Sequence, residues 1–113
     1  MPLSHQTLLV LTNVPDAEVA GRLARALLEA RLAACVNILP TVRSLYHWQG
    51  ALEEANEVTL QIKTIPAHYA ALEAAIKAVH PYVVPEIIAI PIVDGLPAYL
   101  DWIVQETNKD RNV

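Results

Sequence analysis

Few side chains in this sequence have chemistry to offer, and the first is His80. It sits in "VHPYVVPEIIAIPI", a stretch otherwise made of Tyr, Glu86, Pro81, Pro85, Pro91 and aliphatic residues. An imidazole there can ligate a divalent metal, and Cu²⁺ favours nitrogen donors and stands high in the affinity order. The competing reading is structural: a histidine closing a helix, satisfying free carbonyls in a His-Pro corner. Copper held by one strong imidazole would bind weakly and fade below about pH 6, as the ring protonates. On the metal reading, His80→Ala abolishes that binding and leaves the assembly intact.

Cys35 is the lone cysteine. It has apolar neighbours in "LAACVNI" and no adjacent basic group to lower its pKa, so it reads as an inert buried thiol. One cysteine makes no internal disulfide, and nothing marks an oxidising compartment. Glu57, Lys63, Tyr82 and Glu86 are polar groups bordering apolar segments, and Trp48 lies in "LYHWQ", aromatic bodies with polar tips. That composition suits an interface. Lys63 and Glu86 can pair, or grip a small anion and a cation. His47 reads as solvated. His5 and His68 have no ligand partner nearby in sequence. There is no nucleophile–base motif, no phosphate-cradling glycine loop and no zinc spacing. No enzymatic reaction is expected, and no cofactor is required beyond a possible divalent cation.

The elements that must position these groups follow from periodicity. "TLLVLTN" is short and nearly all apolar, as a central strand would be. Pro15 suits a helical first turn and Asp16 a cap. Val19, Leu23, Leu27 and Ala30 then form one helical stripe opposite Glu18, Arg22, Arg25 and Glu29. The long run from Ala34 to Thr64 predicts two strands joined near "QGALEE". Ile65, Tyr69, Leu72, Ile76 and Val79 form a second helical stripe. "PEIIAIPIV" is a fourth strand, and "LPAYLDWIVQET" a last helix with Leu96, Leu100 and Ile103 on one side. Residues 107–113 read as a frayed tail.

The order β-α-β-β-α-β plus a terminal helix is the pattern of an α+β, ferredoxin-like split fold with sheet order 4-1-3-2. Pro40 and Pro91 then fall in the two edge strands, where a missing N–H breaks no ladder. The fourth strand is apolar on both faces. An open face of that kind calls for a partner chain, and a symmetric one is commonest.

The 113 residues make one domain, 1–113, able to build a core without staples. The apolar share of 54% excludes disorder. A formal charge of −4 and the lack of any basic block argue against nucleic acid and anionic membrane as partners. No leader or membrane span is expected at the N-terminus, so the chain reads as cytoplasmic.

The blocks "RLAACVNILP", "SLYHWQG", "IKT" and "HPYVVPEIIAIPI…YLDWI" resemble the CutA family of divalent-cation tolerance proteins, from about Leu8 to Trp102. The resemblance implies a ferredoxin-like protomer in a tight homotrimer, with the long hairpin reaching across to a neighbour. It also implies a link to divalent-metal tolerance, mainly copper. The trimer resembles that of PII signalling proteins, so the alternative is a signalling or small-ligand module whose inter-subunit clefts take an organic anion. Trp48, Glu57, Lys63, Tyr82 and Glu86 match positions lining those clefts. His80 matches a histidine linked to copper, but Thr12 and Val79 stand where some relatives place a Cys and a second His. Val83 replaces the polar or acidic residue usual after the tyrosine.

Overall fold

The computed structural model describes residues 6–109. Its elements are β1 (Thr7–Val14), α1 (Ala17–Glu29), β2 (Cys35–Trp48), β3 (Ala51–Thr64), a 3₁₀ turn (Pro66–His68), α2 (Tyr69–Val79), β4 (Ile87–Ile92) and α3 (Pro97–Glu106). One sheet runs in the order β2-β3-β1-β4, with every neighbouring pair antiparallel. This is the order expected from the sequence.

Strand alternation sorts the side chains. Val10 and Val14 of β1 and Val58, Leu60 and Ile62 of β3 face one side. They are buried with Ala20, Leu23, Ala24 and Leu27 of α1 and Leu72 and Ile76 of α2. The stripe on α1 therefore runs through Ala20 and Ala24, while Ala30 is an exposed C-cap. Val79 ends α2 and is 51% exposed, so it leaves the second stripe. Pro15 lies outside α1: Asp16 is the N-cap, and its carboxylate accepts from the Val19 N–H at 2.9 Å.

α1 ends on a left-handed residue that is not glycine. Arg31 has φ 59°, and the N–H groups of Arg31 and Leu32 return to the carbonyls of Leu28 and Leu27. The Arg31 guanidinium then reaches both the carboxylate and the carbonyl of Glu106, at 3.0 and 3.1 Å. That tie holds the end of α3 and accounts for an arginine in a conformation that usually selects glycine.

α3 takes the opposite side of the sheet. It packs on β1 and β3, with Tyr99 beside Cys35. Cys35 is half-buried rather than enclosed. Leu100 and Ile103 are buried, whereas Leu96 is the N-cap residue and is 71% exposed. Thr107 is not frayed: it is fully buried and its hydroxyl donates to the Ile103 carbonyl. His68, to which the sequence assigned nothing, bonds the Thr107 carbonyl at 2.6 Å. His5 and residues 110–113 lie outside the described residues.

α3 leaves the rest of that side open. Ile88 and Ile90 of β4 point there and are 47% and 43% exposed. Beyond Val58, β3 has no β1 partner, so β2 and β3 continue as a two-stranded arm. Its tip is a two-residue turn with positive φ at Gln49 and Gly50, matching the twist of the strands. The join is therefore at "QG" alone, and "ALEE" belongs to β3. Pro40 falls in a bulge between Leu39 and Val42, at the edge of β2. Leu45, Tyr46, Trp48 and Leu52 are exposed on the arm.

Candidate functional site

His80 is placed by the end of α2. The following Pro81 forbids further helix, and His80 takes extended angles as the last α2 hydrogen bond closes from its own N–H to Ile76. Its ring turns inward and is 8% exposed. Nε2 donates to the Asn13 carbonyl at 2.7 Å, and Nδ1 accepts from the Tyr82 N–H at 3.2 Å. A carbonyl can only accept and an N–H can only donate, so the ring is the Nε2–H tautomer with both nitrogens engaged. Thr12 lies on the buried side of β1 and Val79 at the exposed end of α2. Neither joins His80 in a donor set. Among the described residues no group of three or more His, Cys, Asp or Glu side chains forms a metal cluster.

Four of the five cleft candidates do come together. Trp48, Glu57, Tyr82 and Glu86 line a single cleft of about 450 Å³, where the arm leaves the sheet. Register explains this. Trp48 and Tyr46 on β2 and Glu57 on β3 fall on the same side of the ribbon, the side away from α1 and α2. The His-Pro corner brings Tyr82 over that side, and its hydroxyl donates to Glu57 Oε2 at 2.8 Å. Burial pushes the Tyr82 phenol up to about 12, with the Glu57 hydrogen bond adding to the shift.

Lys63 does not join them. Its ammonium bonds the Asn37 side-chain oxygen across β2 and β3, several residues along the sheet from the cleft. Within the protomer Lys63 and Glu86 do not pair. Glu86 instead accepts from Asn13 Nδ2 at 3.3 Å. His47 is exposed on the arm.

Sequence reasoning missed Asn13. It is the last polar residue of a largely apolar strand, the one signal that marked it. Its main-chain carbonyl accepts from His80 Nε2, its Nδ2 donates to Glu86, and its Oδ1 accepts from the Thr59 hydroxyl at 2.6 Å. Three elements are thus fixed around one amide. Tyr46 was also missed as a wall, as were Pro81, Val83 and Val84, which supply the apolar side. Val83, the position that departs from the resembled pattern, is among the most exposed side chains there. Glu57 is the opposite: 7% exposed, with Tyr82 its one hydrogen-bond partner among the described residues.

The chain is similar to known proteins over most of its length. The family model of the CutA1 divalent ion tolerance protein matches residues 8–106. The Divalent-cation tolerance protein CutA of Thermus thermophilus is 50% identical over 98 residues, covering 87% of this chain and 95% of that protein. Protein CutA of Mus musculus is 46% identical, and there the chain spans 55% of the relative's length. Among solved structures, CutA1 from Oryza sativa superimposes with a TM-score of 0.90 at 39% identity, over 96% of this chain and 99% of that one. The Thermus thermophilus Cut A1 structure does so with 0.84 at 49% identity, over 86% and 94%. A match of this extent, over the sheet, both core helices and the His-Pro corner, places the chain in the CutA1 divalent ion tolerance family.

Proposed function

We propose that the protein works as a symmetric trimer whose functional site is the cleft over Glu57 and Tyr82, completed by a neighbouring copy and used to bind a small ligand. One observation carries this reading. Four side chains, Trp48, Glu57, Tyr82 and Glu86, converge on one cleft at the base of an arm that extends beyond the rest of the sheet. A two-stranded ribbon is marginal alone in water. The exposed Leu45, Leu52, Ile88 and Ile90 supply the apolar surface that a second and third copy would cover. No basic side chain lines the cleft, and Lys63 is bonded elsewhere, so the lining gives no support to an organic anion.

The test is a thermal-shift screen of small metabolites against the wild type and Trp48→Ala. A ligand of the cleft raises the melting temperature by mass action in the wild type only. Equal shifts in both proteins move the site elsewhere.

A second reading is weak binding of a divalent cation, with Cu²⁺ as the probe; the name of the Thermus thermophilus relative supports divalent-cation tolerance only. His80 would have to give up its bond from the Tyr82 N–H to take part. Copper on this chain therefore falls to the cleft carboxylates of Glu57 and Glu86 together with water. Copper titration of Glu57→Gln beside the wild type separates this from a site elsewhere.

A further inference from the structure

The cleft has a definite chemical sense. It holds two carboxylates, Glu57 and Glu86, and none of its lining residues is Lys, Arg or His. Glu57 is the more telling of the two. Its carboxylate is nine-tenths buried, and among the described residues no basic side chain pairs with it. The Tyr82 hydroxyl donates to Oε2, and among the described residues no hydrogen bond to Oε1 is formed. A carboxylate held among apolar and aromatic side chains favours a cation beside it. The walls beside it are the rings of Tyr46, Trp48 and Tyr82. Aromatic faces attract a positive charge within about 6 Å of the ring centre. Val83 and Val84 close the remaining side with apolar surface.

Building on the reading of this cleft as a ligand site, we propose that its ligand is an organic cation: a protonated amine or guanidinium on an apolar or aromatic body. The cationic nitrogen donates to Glu57 Oε1 and comes under the influence of Glu86. The body lies against the rings and the valine pair. A hydrated metal ion would use the carboxylates and leave the aromatic and valine walls without a function. An organic anion would meet two like charges. A basic side chain of a neighbouring copy has the right charge as well, and the experiment distinguishes it.

The experiment is isothermal titration of the assembled protein with three probes of one shape and different charge: phenethylammonium, neutral phenethyl alcohol and anionic phenylpropionate. The cation should bind and the other two should not. Glu57→Gln, which keeps the bond from Tyr82, should weaken the cation by about tenfold or more, as expected for loss of a charge-assisted hydrogen bond. Val83→Lys alters a residue 83% exposed in the protomer, places a positive charge on the wall of the cleft, and should also weaken the cation. Binding of the alcohol or the anion in place of the cation, with loss in Trp48→Ala, overturns the charge assignment and leaves the cleft as the site. Cation binding that is equal in wild type, Glu57→Gln and Val83→Lys overturns it too. No binding of any probe at millimolar concentration, together with a less stable assembly in Glu57→Gln, assigns the cleft to a neighbour's basic side chain and overturns both the cation and the ligand site.

Discussion

His80 and Asn13 are joined by a hydrogen bond of 2.7 Å from the imidazole Nε2 to the main-chain carbonyl. The bond ties the corner after α2 to the last turn of β1. Because the Tyr82 N–H occupies the other ring nitrogen, the same histidine also aims the tyrosine at Glu57. The residue that looked most like a metal ligand is thereby the support of the cleft beside it.

His80→Ala should accordingly act on stability. It leaves the Asn13 carbonyl and the Tyr82 N–H without their side-chain partner and removes a buried ring. The expected loss is about 1–3 kcal/mol, read as a lower denaturant midpoint at unchanged slope. Cu²⁺ titration should give the same isotherm for both proteins. A wild-type-like midpoint with loss of copper binding would return the metal role to His80.

The Tyr82–Glu57 bond predicts a limb of the stability profile at high pH. The folded phenol is raised from an ordinary value near 10 to about 12. Between these values the unfolded chain has released the proton and the folded chain has kept it, so stability falls as pH rises. The contribution is complete below pH of about 10 and is lost through about 12. Tyr82→Phe should be less stable than the wild type at neutral pH, and the two curves should converge over that window. Denaturant titrations across the alkaline range, with tyrosinate absorbance, check this. Curves that stay parallel contradict it.

Gly50 should be the least replaceable residue of the arm. Its φ of 84° follows a Gln49 at 52°, and a Cβ at Gly50 would meet no neighbour within 4 Å. Any cost of Gly50→Ala is therefore conformational, about 1 kcal/mol. If the arm is part of the assembly, the change should also loosen it, seen as a melting temperature that depends more steeply on protein concentration. A neutral effect on both would mean that the turn adapts freely.

Ile90→Asp places a carboxylate on the open side of β4, beside Leu9 of β1. In an assembly that covers this side, the charge is buried without a partner and should dissociate or unfold the protein. In a free-standing protomer, a residue already 43% exposed would tolerate it. Size-exclusion chromatography with circular dichroism tells the two apart. A folded variant that elutes with the wild type counts against coverage of β4.

The fold was legible because period and proline placement report local rules. The two prolines inside strands fell at edges, and the sheet order followed. Errors gathered where a rule gave way to packing. Ala20 and Ala24 join Leu23 and Leu27 in the buried stripe of α1, with Val19 half-buried against it and Ala30 left outside as the exposed C-cap. Arg31 could not be seen as a helix stop, since its left-handed angle is sustained by Glu106, distant in sequence. In the site, Trp48, Glu57, Tyr82 and Glu86 were readable from composition and resemblance. Asn13 was not, because one amide bonding three separate elements leaves no periodic trace. Lys63 lies outside the protomer's cleft, opposite Cys35 in register and bonded to the Asn37 side chain.

The most direct test of the trimer on which the cleft depends is sedimentation equilibrium of the wild type at micromolar concentration. The account predicts one species at three times the 12.4 kDa chain mass, unchanged on dilution. A stable monomer or dimer would contradict it, leaving the arm, the open side of β4 and the cleft without the neighbour that completes them.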